Sequence, residues 1–435
     1  MATSEPFPLL STSADQLHNA ADRVSASAVR RRRQSSGLGS ELRVGDTGAP
    51  GLATSIANMG QNKDATKRAP RRRKAYFRRF KQFATKHTCV LPLVLLFIFL
   101  VLYAINPTES NPISRFIFLS YELPPDAPGK PPQYGKGRWD IAFVTFYTVV
   151  LSFTREFIMQ ELLRPLSRYA GVKSRGKQAR FMEQAYTAIY FAILGPAGMY
   201  VMSRTPVWYF NTHGMYENFP HKTHEACFKF YYLFQAAYWA QQAIVLVLGM
   251  EKPRKDFKEL IAHHIVSLAL IALSYRFHFT YIGLAVYVTH DISDFFLATA
   301  KLMNYIDHAL TGPYFAFFMG VWIYLRHFIN LRIIWSLLTE FQTVGPFELN
   351  WETQQYKCRL SQVITLGLLS SLQALNLFWL FFIVRIAYRF VFNDNLRDDR
   401  SDVETEAEDS TEPAATTATA NGASVANGSA IKKRK

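Results

Sequence analysis

Cysteine is scarce in this chain of 435 residues: Cys89, Cys227 and Cys358 are all it has. Three cysteines without a Cys-x-x-Cys spacing exclude a disulfide framework and a thiolate zinc site. One pair, Cys227 with Cys358, stays open beside the alternative that each is a small buried hydrophobe. The His-x-x-x-His spacing of membrane iron enzymes is missing too. A cleavable signal peptide is not visible: residues 1–87 are polar and basic, so the first apolar segment is expected to stay as an uncleaved anchor. Charge is sparse inside the long apolar runs, and that sparseness makes the few exceptions informative.

What is abundant is apolar and aromatic. Hydrophobic residues make up 49% of the chain and aromatics 15%, with 35 Phe and 22 Tyr. The apolar residues gather in runs of about 20, the length that crosses a hydrocarbon layer of roughly 30 Å. The expected fold is all-α, a polytopic membrane bundle of eight spans over 88–105, 139–162, 181–202, 228–250, 261–275, 281–302, 313–338 and 362–390. Residues 1–87 form a basic cytosolic arm expected to be disordered, 88–105 an anchor, 139–390 the main bundle, and 391–435 an acidic cytosolic tail, also expected to be disordered.

The formal net charge is +16. Its placement argues against nucleic acid. The cluster Lys67, Arg68, Arg71–Arg73 and Lys74 stands just before a span, where it sets topology and touches anionic lipid. The loops 163–180 and 251–260 are rich in Lys and Arg, whereas 106–138, 203–227 and 339–361 are poorer. Eight spans with both termini in the cytosol satisfy this alternation. The chain ends Lys432-Lys433-Arg434-Lys435, which matches a dilysine signal for return to the endoplasmic reticulum.

Ionisable groups within the spans mark the expected site, because a charge at the bilayer centre costs about 2.5–3.5 kcal/mol and rarely faces lipid. His263 and His264 sit near the cytosolic start of span five. Tyr287, His290, Asp291, Asp294 and Lys301 lie in span six, and Tyr287, Asp291, Asp294 and Lys301 step by four, three and seven along one face. Spans five and six are antiparallel across a tight turn, and the depths of His264 and Asp294 differ by about 6 Å at the helical rise. An imidazole and a carboxylate are therefore expected to meet inside the membrane, toward the cytosol. Arg326 and Asn330 share a face of span seven and join the substrate-binding candidates, as do Lys252, Arg254 and Lys255. A metal site is the competing reading. Adjacent histidines project about 100° apart on a helix, so both do not readily bind one ion, and no metal is expected.

The stretch from Phe230 to Tyr305, with its double His followed by Asp-x-x-Asp, resembles the core motif of the ceramide synthases, the longevity-assurance branch of the TLC-domain family. The resemblance extends more weakly over 139–390, and the acidic tail resembles fungal members. It implies an endoplasmic reticulum acyltransferase that joins the acyl group of a very-long-chain acyl-CoA to a sphingoid base. It implies His263, His264, Asp291 and Asp294 as catalytic residues, no metal or redox cofactor, and a homodimer or a small single-span accessory subunit. The His residues then act either as general base for the amine or as nucleophile toward the thioester, with an Asp orienting the imidazole and the basic loops offering CoA a positive rim. A non-catalytic TLC protein that senses lipid or assists membrane insertion is the alternative.

Overall fold

The computed structural model describes residues 88–125, 128–251 and 255–393. The basic arm, nearly all of the acidic tail, the dilysine end, Lys252 and Arg254 lie outside the described residues.

Eight long helical segments coincide with the eight expected spans. They are α1 (Val90–Ile105), α2 (Trp139–Tyr169), α3 (Arg175–Ser203), α4 (Ala226–Leu248), α5 (Phe257–Arg276), α6 (Thr280–Tyr305), α7 (Thr311–Thr339) and α8 (Arg359–Asn393). Five of them, α2, α3, α5, α7 and α8, are both long and apolar enough to cross a membrane. α1 has only 16 residues, against the roughly 20 a span needs. α4 and α6 are long enough but carry polar groups along their length, Lys229, Gln235, Gln241 and Gln242 on one and His290, Asp291, Asp294 and Lys301 on the other. Among the described residues the extended structure is slight. Glu122–Leu123 (β1), Gln133–Tyr134 (β2) and His224–Glu225 (β3) form an antiparallel sheet, with Glu122 opposite Tyr134 and Tyr134 opposite His224.

The helices pack according to how much side chain each can bury. α6 is the inner helix, with Leu284, Ala285, Val288, Asp291 and Ser293 all buried. α3 lies against it through small residues. A Cβ on Gly198 would stand 2.8 Å from Val288 and run into the Tyr231 hydroxyl, so glycine is what lets α3 come this close. α4 adds an aromatic layer, in which Tyr238 stacks on Tyr190 at 3.8 Å between ring centroids. α5 is peripheral: His263 is its one buried residue. α5 and α6 are joined by residues 277–279 alone, as the expected tight turn requires, and His278 takes a φ of 66° to make it. Two π segments, Ile158–Leu163 in α2 and Tyr324–Ile329 in α7, interrupt otherwise regular helices, as such turns often do near functional groups.

Candidate active site

His263 is where two cavities meet. The first, of about 190 Å³, is walled mainly by apolar side chains of α5, α6 and α8, among them Leu270, Ile271, Val286, Ile364, Leu369 and Leu372. The second, of about 230 Å³, is a more polar vestibule at the opposite end of α5, where Glu251, Asp256, His264, Asp294, Lys301 and Arg326 gather. His263 and Trp239 line both. α4 ends at Gly249, whose φ of 62° turns the chain out of the helix and delivers Glu251 to the vestibule. Arg155 of α2 holds that Glu251 at 2.5 Å.

The imidazoles are lightly tied. His264 Nδ1–H donates to the Leu260 carbonyl at 2.8 Å, which directs its Nε2 away from the helix backbone. His263 Nε2 lies 3.5 Å from Ser267 Oγ, and its Nδ1 is buried without a hydrogen-bond partner. The ring sits edge-on to Trp239 at 5.6 Å and to Trp379 at 5.2 Å.

The carboxylates are engaged elsewhere, which corrects the expected His–Asp contact. Asp291 Oδ2 accepts from the Tyr231 hydroxyl at 2.9 Å and from Gln235 Nε2. Its Oδ1 is buried and unpartnered. Asp294 Oδ1 pairs with Arg326 Nη2 at 2.5 Å. Among the described residues no hydrogen bond or ion pair joins either Asp to His263 or His264. The depth match along the helices was sound, because Asp294 and His264 line the same vestibule. Rotation about the helix axis is what the depth argument lacked, and it turns Asp294 to α7.

Arg326 organises this wall. Besides Asp294 it donates to Ser293 Oγ at 2.6 Å and Asn376 Oδ1 at 3.2 Å, and it lies 4.3 Å from the centre of the Trp322 ring. Asn376 Nδ2 reaches back to His290 Nε2 at 3.5 Å. Of the other predicted residues, Tyr287 and His290 line the apolar cavity and Lys301 the vestibule. Asn330 lines neither of the two: it shares the α8-facing side of α7 with Arg326, but one turn on, where it donates to Gln373 at 2.7 Å. Lys255 is exposed beside the vestibule and does not line it, and no base of 163–180 does so either. The expected positive rim is therefore not part of the described lining, whose charged groups are Glu251, Asp256, Asp294, Lys301 and Arg326. Tyr231, Gln235, Trp239, Asp256, Asn376 and Trp379 went unremarked in the sequence. Polar Gln235 and Asn376 inside apolar helices were the available signal.

Three bases gather behind Tyr356 at the far end of the apolar cavity. Lys136 Nζ donates to the His221 carbonyl at 2.7 Å and lies 3.3 Å from His278 Nδ1. Burial pushes Lys136 well below the ordinary lysine range. Burial, helped by the nearby Lys136, also pushes His221 down to about 4 and His278 to about 3. Tyr356 stacks on His278 and lines the cavity with Trp351 and Cys358. Cys227 and Cys358 are both free, so the possible pair is not formed. Among the described residues no group of three or more His, Cys, Asp and Glu is placed to hold a metal ion.

An imidazole between a greasy cavity and a polar mouth suits transfer between molecules arriving from two sides. Comparison with known proteins narrows the transfer. The TLC domain pattern matches residues 180–385. The chain is 56% identical over 323 residues to the sphingosine N-acyltransferase-like protein FUM17 of Gibberella moniliformis, covering 73% of this chain and 83% of that one. It is 48% identical over 319 residues to the sphingosine N-acyltransferase lac1 of Schizosaccharomyces pombe, covering 73% and 82%. It is 42% identical over 394 residues to the ceramide synthase LAG1 of Saccharomyces cerevisiae, covering 88% and 94%.

Proposed function

The chain belongs to the fungal-type ceramide synthases of the TLC-domain family, and from that premise we propose that it moves the fatty acyl group of an acyl-CoA onto the amino group of a sphingoid base. One observation supports this most: His263 is shared by the apolar cavity and the polar vestibule. The acyl chain and the tail of the base belong in apolar surroundings, while CoA is a polyanion that stays in water. A thioester carbon at the junction stands beside His263, with its tail on one side and its CoA on the other.

His263 acts as the nucleophile. Its nitrogen attacks the thioester carbon, the C–S bond breaks, and the departing thiolate takes up the imidazole proton, leaving an acyl-imidazole and CoA thiol. The amine of the base then attacks the same carbon, the C–N bond to the ring breaks, and the ring recovers a proton from the amine. The alternative, a general base, relies on a carboxylate to orient the ring and steady its charged form. The engagement of Asp294 with Arg326, and of Asp291 with Tyr231 and Gln235, speaks for the nucleophile. A dry cavity suits it as well, since an acyl-imidazole is readily hydrolysed. Asp291, Asp294 and Arg326 hold the wall against which the reaction runs, and His264 faces the vestibule, where the amine proton leaves. The reaction needs no metal or redox cofactor.

The same reading places eight crossings in the endoplasmic reticulum membrane with both termini cytosolic, very-long-chain acyl groups in the apolar cavity, and a homodimer or a small single-span subunit as partner. The purified chain, given acyl-CoA and dihydrosphingosine in lipid nanodiscs, should form amide. Membranes that carry the chain but form none would return it to the non-catalytic members of the family.

A further inference from the structure

The His263 ring is flanked by two indoles, and they differ. Trp239 belongs to both cavities, whereas Trp379 of α8 faces the vestibule alone. The Trp379 indole N–H donates to Asp256 Oδ2 at 3.2 Å, and the ring edge meets His263 with centroids 5.2 Å apart at 77°. Asp256 is the residue at which α5 begins, and it is buried. It precedes His263 by seven residues, two helical turns or about 10 Å along the same face. Trp379 spans that gap. One chain of contacts thus ties the first turn of the histidine helix to α8 and lays an indole across the imidazole from the wet side. A buried indole N–H takes a partner; here the partner is a buried side chain at the vestibule, and that bond adds a directional tie to the apolar packing of the ring against Trp322 and Ile383.

We propose that Asp256 and Trp379 form a latch that keeps vestibule water off the acyl group at His263, so that the acyl group passes to the amine and not to water. The inference rests on the acyl-transfer reading above. The reaction it suppresses is hydrolysis: a water oxygen bonds to the acyl carbon, the bond to sulfur or to the imidazole nitrogen breaks, and the departing thiol or ring takes a proton from the water, releasing free fatty acid. Trp379 and Asp256 are positioning residues in this scheme; neither bonds to substrate.

The readout is the ratio of free fatty acid to amide made by the purified full chain from acyl-CoA and dihydrosphingosine. Trp379→Phe keeps an aromatic ring, smaller than the indole, and loses the N–H, and Asp256→Leu loses the acceptor. Each should raise the ratio about fivefold, the factor expected from one lost hydrogen bond. The double variant should go no further than either single one. Asp256→Asn keeps an acceptor oxygen and should stay within about twofold of the parent. An unchanged ratio in Trp379→Phe and Asp256→Leu, even with slower turnover, overturns the latch, as does an Asp256→Asn that shifts as far as Asp256→Leu. Should Trp379→Phe fail to fold, the two Asp256 variants decide the matter. A parent chain that makes no amide overturns the acyl-transfer reading itself and the latch with it.

Discussion

Asp294→Asn separates what Asp294 does for the fold from what it does for the reaction. Its partner Arg326 is buried at 2% exposure and has Asp294 as the carboxylate it pairs with, at 2.5 Å. Removing one member of a buried ion pair costs about 3–5 kcal/mol, because the other charge is left without compensation. The Asp294 side chain is 20% exposed to the vestibule, so water supplies part of the lost compensation and the lower end, about 3 kcal/mol, applies. Arg326→Met in the same chain removes the stranded charge, and the double variant should recover most of that loss, since an apolar pair of similar volume often replaces an ion pair at no cost. Thermal unfolding in detergent, followed by tryptophan fluorescence, reads the stability, and amide formation from acyl-CoA and dihydrosphingosine reads the activity. The expected pattern is a clear destabilisation in Asp294→Asn, recovery in the double variant, and turnover that stays below about one-hundredth in both. A double variant that regains turnover along with stability would reduce the pair to glue between α6 and α7. An Asp294→Asn that melts with the parent would show that the pair does not hold those helices at all.

Asp291→Asn should melt close to the parent, because one amide oxygen can still accept from Tyr231 and Gln235, yet lose most activity; near-normal turnover would make Asp291 a packing residue. Melting temperature at fixed salt should fall as pH drops from about 6.5 toward 4. His221 and His278 are held neutral by burial, so below the unfolded value the unfolded chain binds protons that the folded chain refuses. A midpoint that rises or stays flat over that window contradicts the burial of these rings. Tags at both ends should be digested by protease added outside sealed microsomes; a protected C-terminal tag means an odd number of crossings.

The helices were legible because apolar runs of about 20 residues leave little choice of structure in lipid, and their ends fall within seven residues of the expected ones. The stripe on α6 was legible for the same reason, since a carboxylate in such a run stands out. What the stripe meets was not. Asp294 pairs with Arg326 and not with an imidazole, because helix rotation is set by packing: glycine at 198 draws α3 onto α6, and Tyr231 of α4 takes the Asp291 oxygen. Trp239 and Trp379 were hidden among many aromatics, and nothing in local spacing tells an indole beside His263 from one facing lipid. Asp256 went unremarked within the basic 251–260 loop. Its burial at the start of α5 comes from the fold of α8 over it.

In the proposed reaction His263 carries the acyl group between the two substrates. Purified chain should be mixed with acyl-CoA in the absence of any sphingoid base, and the CoA released and the mass of the peptide containing His263 and His264 measured. CoA release should equal the amount of enzyme and an acyl mass should appear on that peptide, both lost in His263→Ala. No CoA release and no adduct until base is added would contradict it.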